Sequence, residues 1–241
     1  MLDVVIPILN YSSYTRSILL DILNNSIHPK TIFIINNNSS DDSVKIVESF
    51  KSYLNIKLLN LRKNIGVNSS WNIGLRLSTS NYISILNNDL VLNKNFFYNI
   101  IETFNRHTNC GMLCPKTLQP FNDEYDYTKD IQRVKNYNFA GVCKTYPVPW
   151  RQGWAFTVRQ EYKQYLKIPK ELFNYCGDDY HFLVLSQMKK SILLMEENII
   201  FHYNAITGRG TRLRDKMFED NKKWRDVQSK LFMEEENDHK I

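Results

Sequence analysis

Within the first 115 residues, short apolar runs alternate with longer segments of helical period, and this alternation restricts the fold more than any other feature. The runs lie at 2–7 (LDVVIP), 31–35 (TIFII), 55–60 (NIKLLN) and 82–86 (YISIL). Near-continuous Val, Ile and Leu, as in DVVIPIL and TIFII, marks strands covered on both faces, the pattern of a parallel sheet. The segments between and after them, at 14–23, 41–53, 68–77 and 94–107, read as helices, so the order is βαβαβαβ with right-handed crossovers. In the second helix Ser39 or Ser40 is placed to cap the first turn, and Asp41 and Asp42 sit where the helix dipole favours negative charge. The expected fold class is α/β, with a mostly parallel central sheet flanked by helices.

At 241 residues the chain suits one large domain, and 43% hydrophobic with 23% charged residues excludes wholesale disorder. A net charge of +6 favours anionic partners such as nucleotides, nucleic acid or an acidic membrane surface, without choosing among them. Cys110, Cys114, Cys143 and Cys176 have neither zinc-site spacing nor the density of a disulfide framework, and read as reduced, partly buried thiols. No stretch reaches the roughly 20 apolar residues of a membrane span. Met1-Leu2-Asp3 runs directly into the first strand without a basic leader, which gives the expectation of a cytosolic chain, in the host cytosol if the source is viral.

From residue 116 the rhythm breaks. The polar and aromatic stretch 116–139 reads as neither helix nor strand and suits a functional loop or flap. After it, GWAFTVRQEYKQYL reads as strand into helix, DDYHFLVLSQMKK as a helix with an acidic start, and SILLMEENIIFHY as one or two strands. Residues 212–233 form a charged amphipathic helix whose mixed charge makes peripheral membrane contact conceivable and deep insertion least expected.

In open parallel sheets, ligands bind beyond the carboxyl ends of the strands, so the strand tips carry the functional reading. They are Pro7-Ile8-Leu9-Asn10, Asn36-Asn37-Asn38-Ser39, 62–68, and Asn87-Asn88-Asp89. The first tip lacks the Gly-rich turn of a dinucleotide site, a P-loop or a sugar nucleotidyltransferase. The ordered series VVIPILNY, IINNNSSDDS and NIGVNSSWNIGLRLSTSNYISILNND resembles the N-terminal half of family 2 glycosyltransferases with the GT-A fold, a Rossmann-like fold for nucleotide-diphospho-sugars. GWAFTVRQEY, LFNYCGDDYH and IIFHYNAITGRG extend the resemblance to about residue 211. By pattern it lies nearest the rhamnosyltransferase-like branch.

The resemblance implies a nucleotide-sugar-binding half at 1–115, an acceptor and catalytic half at 116–211, and an appended helix and tail at 212–241. It implies an inverting transfer from a nucleoside-diphosphate sugar, a UDP-sugar or dTDP-rhamnose, to a glycan or glycoconjugate hydroxyl. Asp89, with Asn87 as a weaker neighbour, and His202 would hold a divalent cation, Mn²⁺ or Mg²⁺, both of which accept oxygen ligands. Asp179 would take the proton of the acceptor hydroxyl, with Asp178 as the alternative base, and simple helix capping is the competing reading of both. Pro7, Asn10, Asn36, Asn38, Arg62, Asn68, Asn72, Asn87 and Asn88 would bind the donor, Asn36 reading a pyrimidine through its amide. Arg209 and Arg212, beside Arg214, would fold over the diphosphate, and Trp154 and Tyr180, with Trp150, would stack on the acceptor. The oligomeric state stays open and nucleic acid is not expected. The rival reading is a non-catalytic basic α/β protein that binds nucleic acid or a protein through 212–233; it predicts that Asp179→Asn is tolerated and that binding falls steeply with salt.

Overall fold

The computed structural model describes residues 1–120, 125–148, 152–203 and 211–238. The first half follows β1 (Leu2–Ile8), α1 (Ser12–Leu23), β2 (Thr31–Asn36), α2 (Ser43–Phe50), β3 (Ile56–Asn60), α3 (Val67–Leu77), β4 (Tyr82–Leu86), β5 (Leu90–Leu92) and α4 (Phe96–Arg106). The second half runs β6 (Cys110–Leu118), α5 (Thr128–Asn136), β7 (Thr145–Pro147), β8 (Ala155–Arg159), a short 3-10 turn (Gln160–Tyr162), α6 (Gly177–Gln187), β9 (Ser191–His202) and α7 (Thr211–Asp238).

The strands form one sheet in the order β3-β2-β1-β4-β8-β6-β9-β5, with β7 paired to β9. Pairing is parallel from β3 through β4 and between β6 and β9. β8 lies antiparallel between β4 and β6, and β5 and β7 run antiparallel to β9. Among the described residues, six strands thus share one direction and three oppose it.

Period-2 alternation within the buried strands divides the core between the two faces. Val4, Ile6 and Ile8 of β1 join Ile18, Leu19 and Ile22 of α1 and Phe97, Ile100 and Phe104 of α4. Val5 faces the other way, with Trp71 and Leu75 of α3, Leu185 of α6 and Val227 of α7. Because α1 and α3 lie on opposite faces, the chain reverses its winding at β1, whose neighbours are β2 and β4. That crevice is the switch point at which ligands bind in open α/β sheets.

Three local expectations change. The stretch 116–139 contains α5, nine residues long, whose only fully buried side chain is Val134; its two apolar residues, Ile131 and Val134, are too few to mark a helix within so polar a stretch. The segment after β8 forms a 3-10 turn rather than a helix. The start of α2 is organised by Asp41 rather than Ser39 or Ser40: its Oδ1 accepts the Ser43 N–H and hydroxyl, and its Oδ2 accepts the Ser12 N–H, tying the starts of α1 and α2 together. All four cysteines are free and buried. No helix among the described residues is long and apolar enough to cross a membrane.

Candidate active site

A cleft of about 350 Å³ opens at the carboxyl ends of β1 and β4. Pro7, Ile8 and Leu9 form one wall, Asn87 and Asn88 the next, Val67 and Trp71 of α3 the floor side, and Gly153, Trp154 and His202 the far side. The loop Asn174-Tyr175-Cys176 and Asp178 complete it. The short turn after β4 brings Asp89 to the start of β5, where Leu90 pairs with His202 at the end of β9. Two antiparallel neighbours therefore place a carboxylate and an imidazole side by side.

Asp89 and His202 are each 3% exposed, and His202 Nε2 lies 3.4 Å from Asp89 Oδ1. Among the described residues, Asp89 Oδ2 and both ring nitrogens of His202 lack a hydrogen-bond partner. Burying polar atoms without partners costs about 1–3 kcal/mol each, more for charged groups, so such a cluster calls for water or a ligand to satisfy it. One carboxylate oxygen and one imidazole nitrogen suit Mn²⁺ or Mg²⁺ when further oxygens come from the ligand. No group of three or more metal-ligating side chains exists among the described residues, so those further oxygens must be supplied from outside this pair.

Trp154 serves this corner. Its ring stacks on His202 at 5.0 Å and 15°, its Nε1–H donates to Thr117 Oγ1 at 2.9 Å, and its carbonyl accepts the Asn87 N–H at 2.8 Å. It thus fixes the imidazole and the β4 tip while presenting an edge to the cleft. Asn88 reaches the other way, donating to Thr15 Oγ1 of α1.

Across the cleft, α6 begins at Gly177, and successive residues on a helix turn by about 100°. Asp178 consequently faces the cleft, beside Gly153, where an added Cβ would meet its carboxyl carbon at 3.2 Å. Asp179, one step further round the helix, lies near the Cys176 thiol and does not line the cleft. Burial, then the charges of Asp179, Asp178 and Asp220, push the Cys176 thiol up to about 12, so this cleft-lining sulfur is no nucleophile near neutral pH.

Several amides expected on the donor hold the scaffold instead. Asn36 donates to Asn60 Oδ1 and accepts the Ser39 N–H. Asn10, left-handed at φ 59, accepts the Ser40 N–H and hydroxyl and donates its own N–H to Ser39. Asn68 donates to the carbonyls of Leu172 and Tyr175, and Asn72 clasps Ile168 through both its carbonyl and its N–H. Asn38 and Arg62 are exposed outside the cleft, and Tyr180 packs toward the second core cluster near His181. Arg209 and Trp150 lie outside the described residues, as do the side chains of Arg212 and Arg214.

The cleft instead recruits Asn37, Asn64, Trp71, Asn174 and Tyr175. Asn37 donates to Ser70 Oγ and accepts the Ile65 N–H, leaving one amide hydrogen and one lone pair. The signal for Asn37 over Asn36 was positional: β2 ends at Asn36, so the next residue is the first free to leave the ladder.

Residues 3–173 match the family model described as Glycosyl transferase family 2. The chain belongs to that family. It is 31% identical over 122 residues to the minor teichoic acid biosynthesis protein GgaA of Bacillus subtilis, covering 47% of this chain and 27% of that protein. It is 28% identical over 104 residues to the poly-beta-1,6-N-acetyl-D-glucosamine synthase of Staphylococcus epidermidis, covering 43% and 25%. The matches thus span about a quarter of the length of these relatives. Among solved structures, this family 2 chain superposes on S. aureus TarS 1–349 with a TM-score of 0.66 at 16% identity, over 84% of this chain and 60% of that one. It superposes on GalNAc-T7, solved with UDP, GalNAc and Mn²⁺, with a TM-score of 0.65 at 13% identity, over 89% and 47%. At such identities the likeness is one of fold, and the fold is GT-A.

Proposed function

We propose that this chain transfers a sugar from a UDP-sugar to a hydroxyl of a glycan or glycoconjugate, with inversion at the anomeric carbon. The observation that carries the reading is the unpartnered, buried Asp89–His202 pair on one side of a cleft whose opposite wall presents Asp178. UDP is favoured because TarS has been solved with UDP and with UDP-GlcNAc, and GalNAc-T7 with UDP. dTDP-rhamnose is the competing donor.

A divalent cation held by Asp89 and His202 would neutralise the charge that develops on the departing diphosphate. Trp154 keeps the His202 ring turned toward that position. The apolar wall of Pro7, Ile8 and Leu9 suits the flat face of a pyrimidine, and the free valences of Asn37 lie beside it for its polar edge. Asp178 accepts the proton of the acceptor hydroxyl as that oxygen bonds the anomeric carbon and the bond to the diphosphate oxygen breaks. The placement of Asp178 on the wall makes it the base in this reading, and Asp179 a residue of the helix start.

Thermal unfolding with UDP, dTDP and GDP, each with and without Mn²⁺, tests the donor site. A ligand at 100 times its Kd stabilises the native state by about 2.7 kcal/mol, which for a chain of this size raises Tm by roughly 5–10 °C. UDP with Mn²⁺ is expected to give the largest rise. A larger rise with dTDP transfers the assignment to the competing donor, and no rise with any nucleotide refutes the site.

A further inference from the structure

We propose that Asp220 is a positioning residue through which α7 clamps the loop that carries the cleft wall and delivers Asp178. Asp220 is 0% exposed although it sits in a helix otherwise rich in charge. Its carboxylate receives three successive backbone N–H groups: Phe173 to Oδ1 at 3.0 Å, and Asn174 and Tyr175 to Oδ2 at 2.7 and 3.0 Å. Charge-assisted bonds of this kind are about twice as strong as neutral ones. Three consecutive N–H groups converging on one point have no ladder to join, and an anion is what such a nest accommodates.

The same loop is gripped from the opposite side by the start of α3. Val67 N–H donates to Asn174 Oδ1, Asn68 N–H to the Phe173 carbonyl, and the Asn68 amide to the carbonyls of Leu172 and Tyr175. Asn221, next to Asp220, accepts the Cys176 thiol hydrogen. Residues 172–176 are therefore held between α3 and α7, and one residue later Gly177 opens the helix that presents Asp178. Trp224, Val227 and Leu231 seat the face of α7 that bears Asp220 on the second core cluster, so the carboxylate is fixed by packing and not by the loop alone. The family model ends at residue 173, where the clamped N–H groups begin, so the clamp comes from a part of the chain outside that match.

The catalytic half of this inference rests on the proposed sugar transfer; the clamp itself does not. The test therefore reads both in the full chain: amide hydrogen exchange at 173–175, and steady-state transfer from the UDP-sugar. Asp220→Asn keeps the shape but replaces one acceptor oxygen by a donor. The expected result is exchange at Asn174 and Tyr175 faster by about tenfold and kcat lower by about tenfold with donor KM within about twofold, the mark of a lost arrangement rather than lost binding. Asp226→Asn, exposed on the same helix, leaves both unchanged. Asp220→Ser, which retains an acceptor and carries no amide donor, gives the same readout if the Asn variant does not fold. Unaltered exchange overturns the clamp, and faster exchange with unaltered kcat overturns its catalytic role. If the wild type transfers no sugar, the proposed function fails, and exchange together with the melting shift by nucleotide still decides the clamp.

Discussion

Gly66 joins the donor side of the cleft to the loop on its far side, and Gly66→Ala measures how tightly. At φ 85 and ψ 162 this residue occupies a region essentially reserved for glycine, and placing an L side chain there costs about 1–3 kcal/mol. The added Cβ would also sit 2.2 Å from the Phe173 carbonyl oxygen and 2.9 Å from its carbon. That neighbour is backbone, bonded to the Asn68 N–H, and it cannot rotate aside. Overpacking of this kind adds about 1–3 kcal/mol. The two effects sum to about 4 kcal/mol, which for a chain of this size lowers Tm by roughly 8–16 °C. Urea and thermal unfolding of Gly66→Ala give the number directly. Gly141→Ala is the internal comparison, since its Cβ would meet only Phe139 Cζ at 3.7 Å and so bears the backbone cost alone. If Gly66→Ala unfolds within about 0.5 kcal/mol of the wild type, the usual range for an innocuous surface change, the tight apposition of the two loops is refuted.

Three further outcomes follow from the same geometry. Asp178→Asn lowers sugar transfer by about 100-fold or more with folding intact, whereas Asp179→Asn lowers it less than about tenfold; the reverse order assigns the base to Asp179. Titration calorimetry of Mn²⁺ gives weak binding to the protein alone and clear binding once UDP is present, and Asp89→Asn removes the second; tight binding without nucleotide contradicts a two-residue site that depends on donor oxygens. Burial first, opposed by the Leu92 N–H and Lys135, raises the Asp21 carboxyl to about 6. The native state therefore holds this proton more tightly than the unfolded chain does, a contribution fully present below about pH 4 and lost as pH rises through about 6. Asp21→Asn gains on the wild type by about 2 kcal/mol between pH 4 and pH 7, and a pH-independent difference in urea unfolding refutes the assignment.

The parallel half of the fold was legible because its strands are buried on both faces. The runs at 2–7, 31–35, 55–60 and 82–86 match β1 to β4 within a residue or two. The insertion of β8 antiparallel between β4 and β6 was not legible, since a short apolar run carries no record of its neighbours. Near the cleft, residue type could be read and direction could not. Asp178 and Asp179 are equivalent as letters and differ by one helical step, and Asn68 and Asn72 look like ligand amides yet are bonded to the 168–175 backbone. Asp220 left a faint mark. With Trp224, Val227 and Leu231 it follows the spacing of a buried stripe, a position at which an acidic residue needs a partner.

That clamp also orders events during synthesis. The Phe173 amide and the Asp220 carboxylate are separated by 47 residues of chain. The sheet is complete only with His202 at the end of β9, so at about 5–20 residues per second it precedes the carboxylate that orders the cleft loop by roughly 1–4 s. A nascent chain halted between residues 202 and 220 carries its β-scaffold and its Asp89–His202 corner but an unfastened wall. Translation past residue 220 thus supplies the anion of the clamp, and termination between residues 202 and 220 leaves that wall without it.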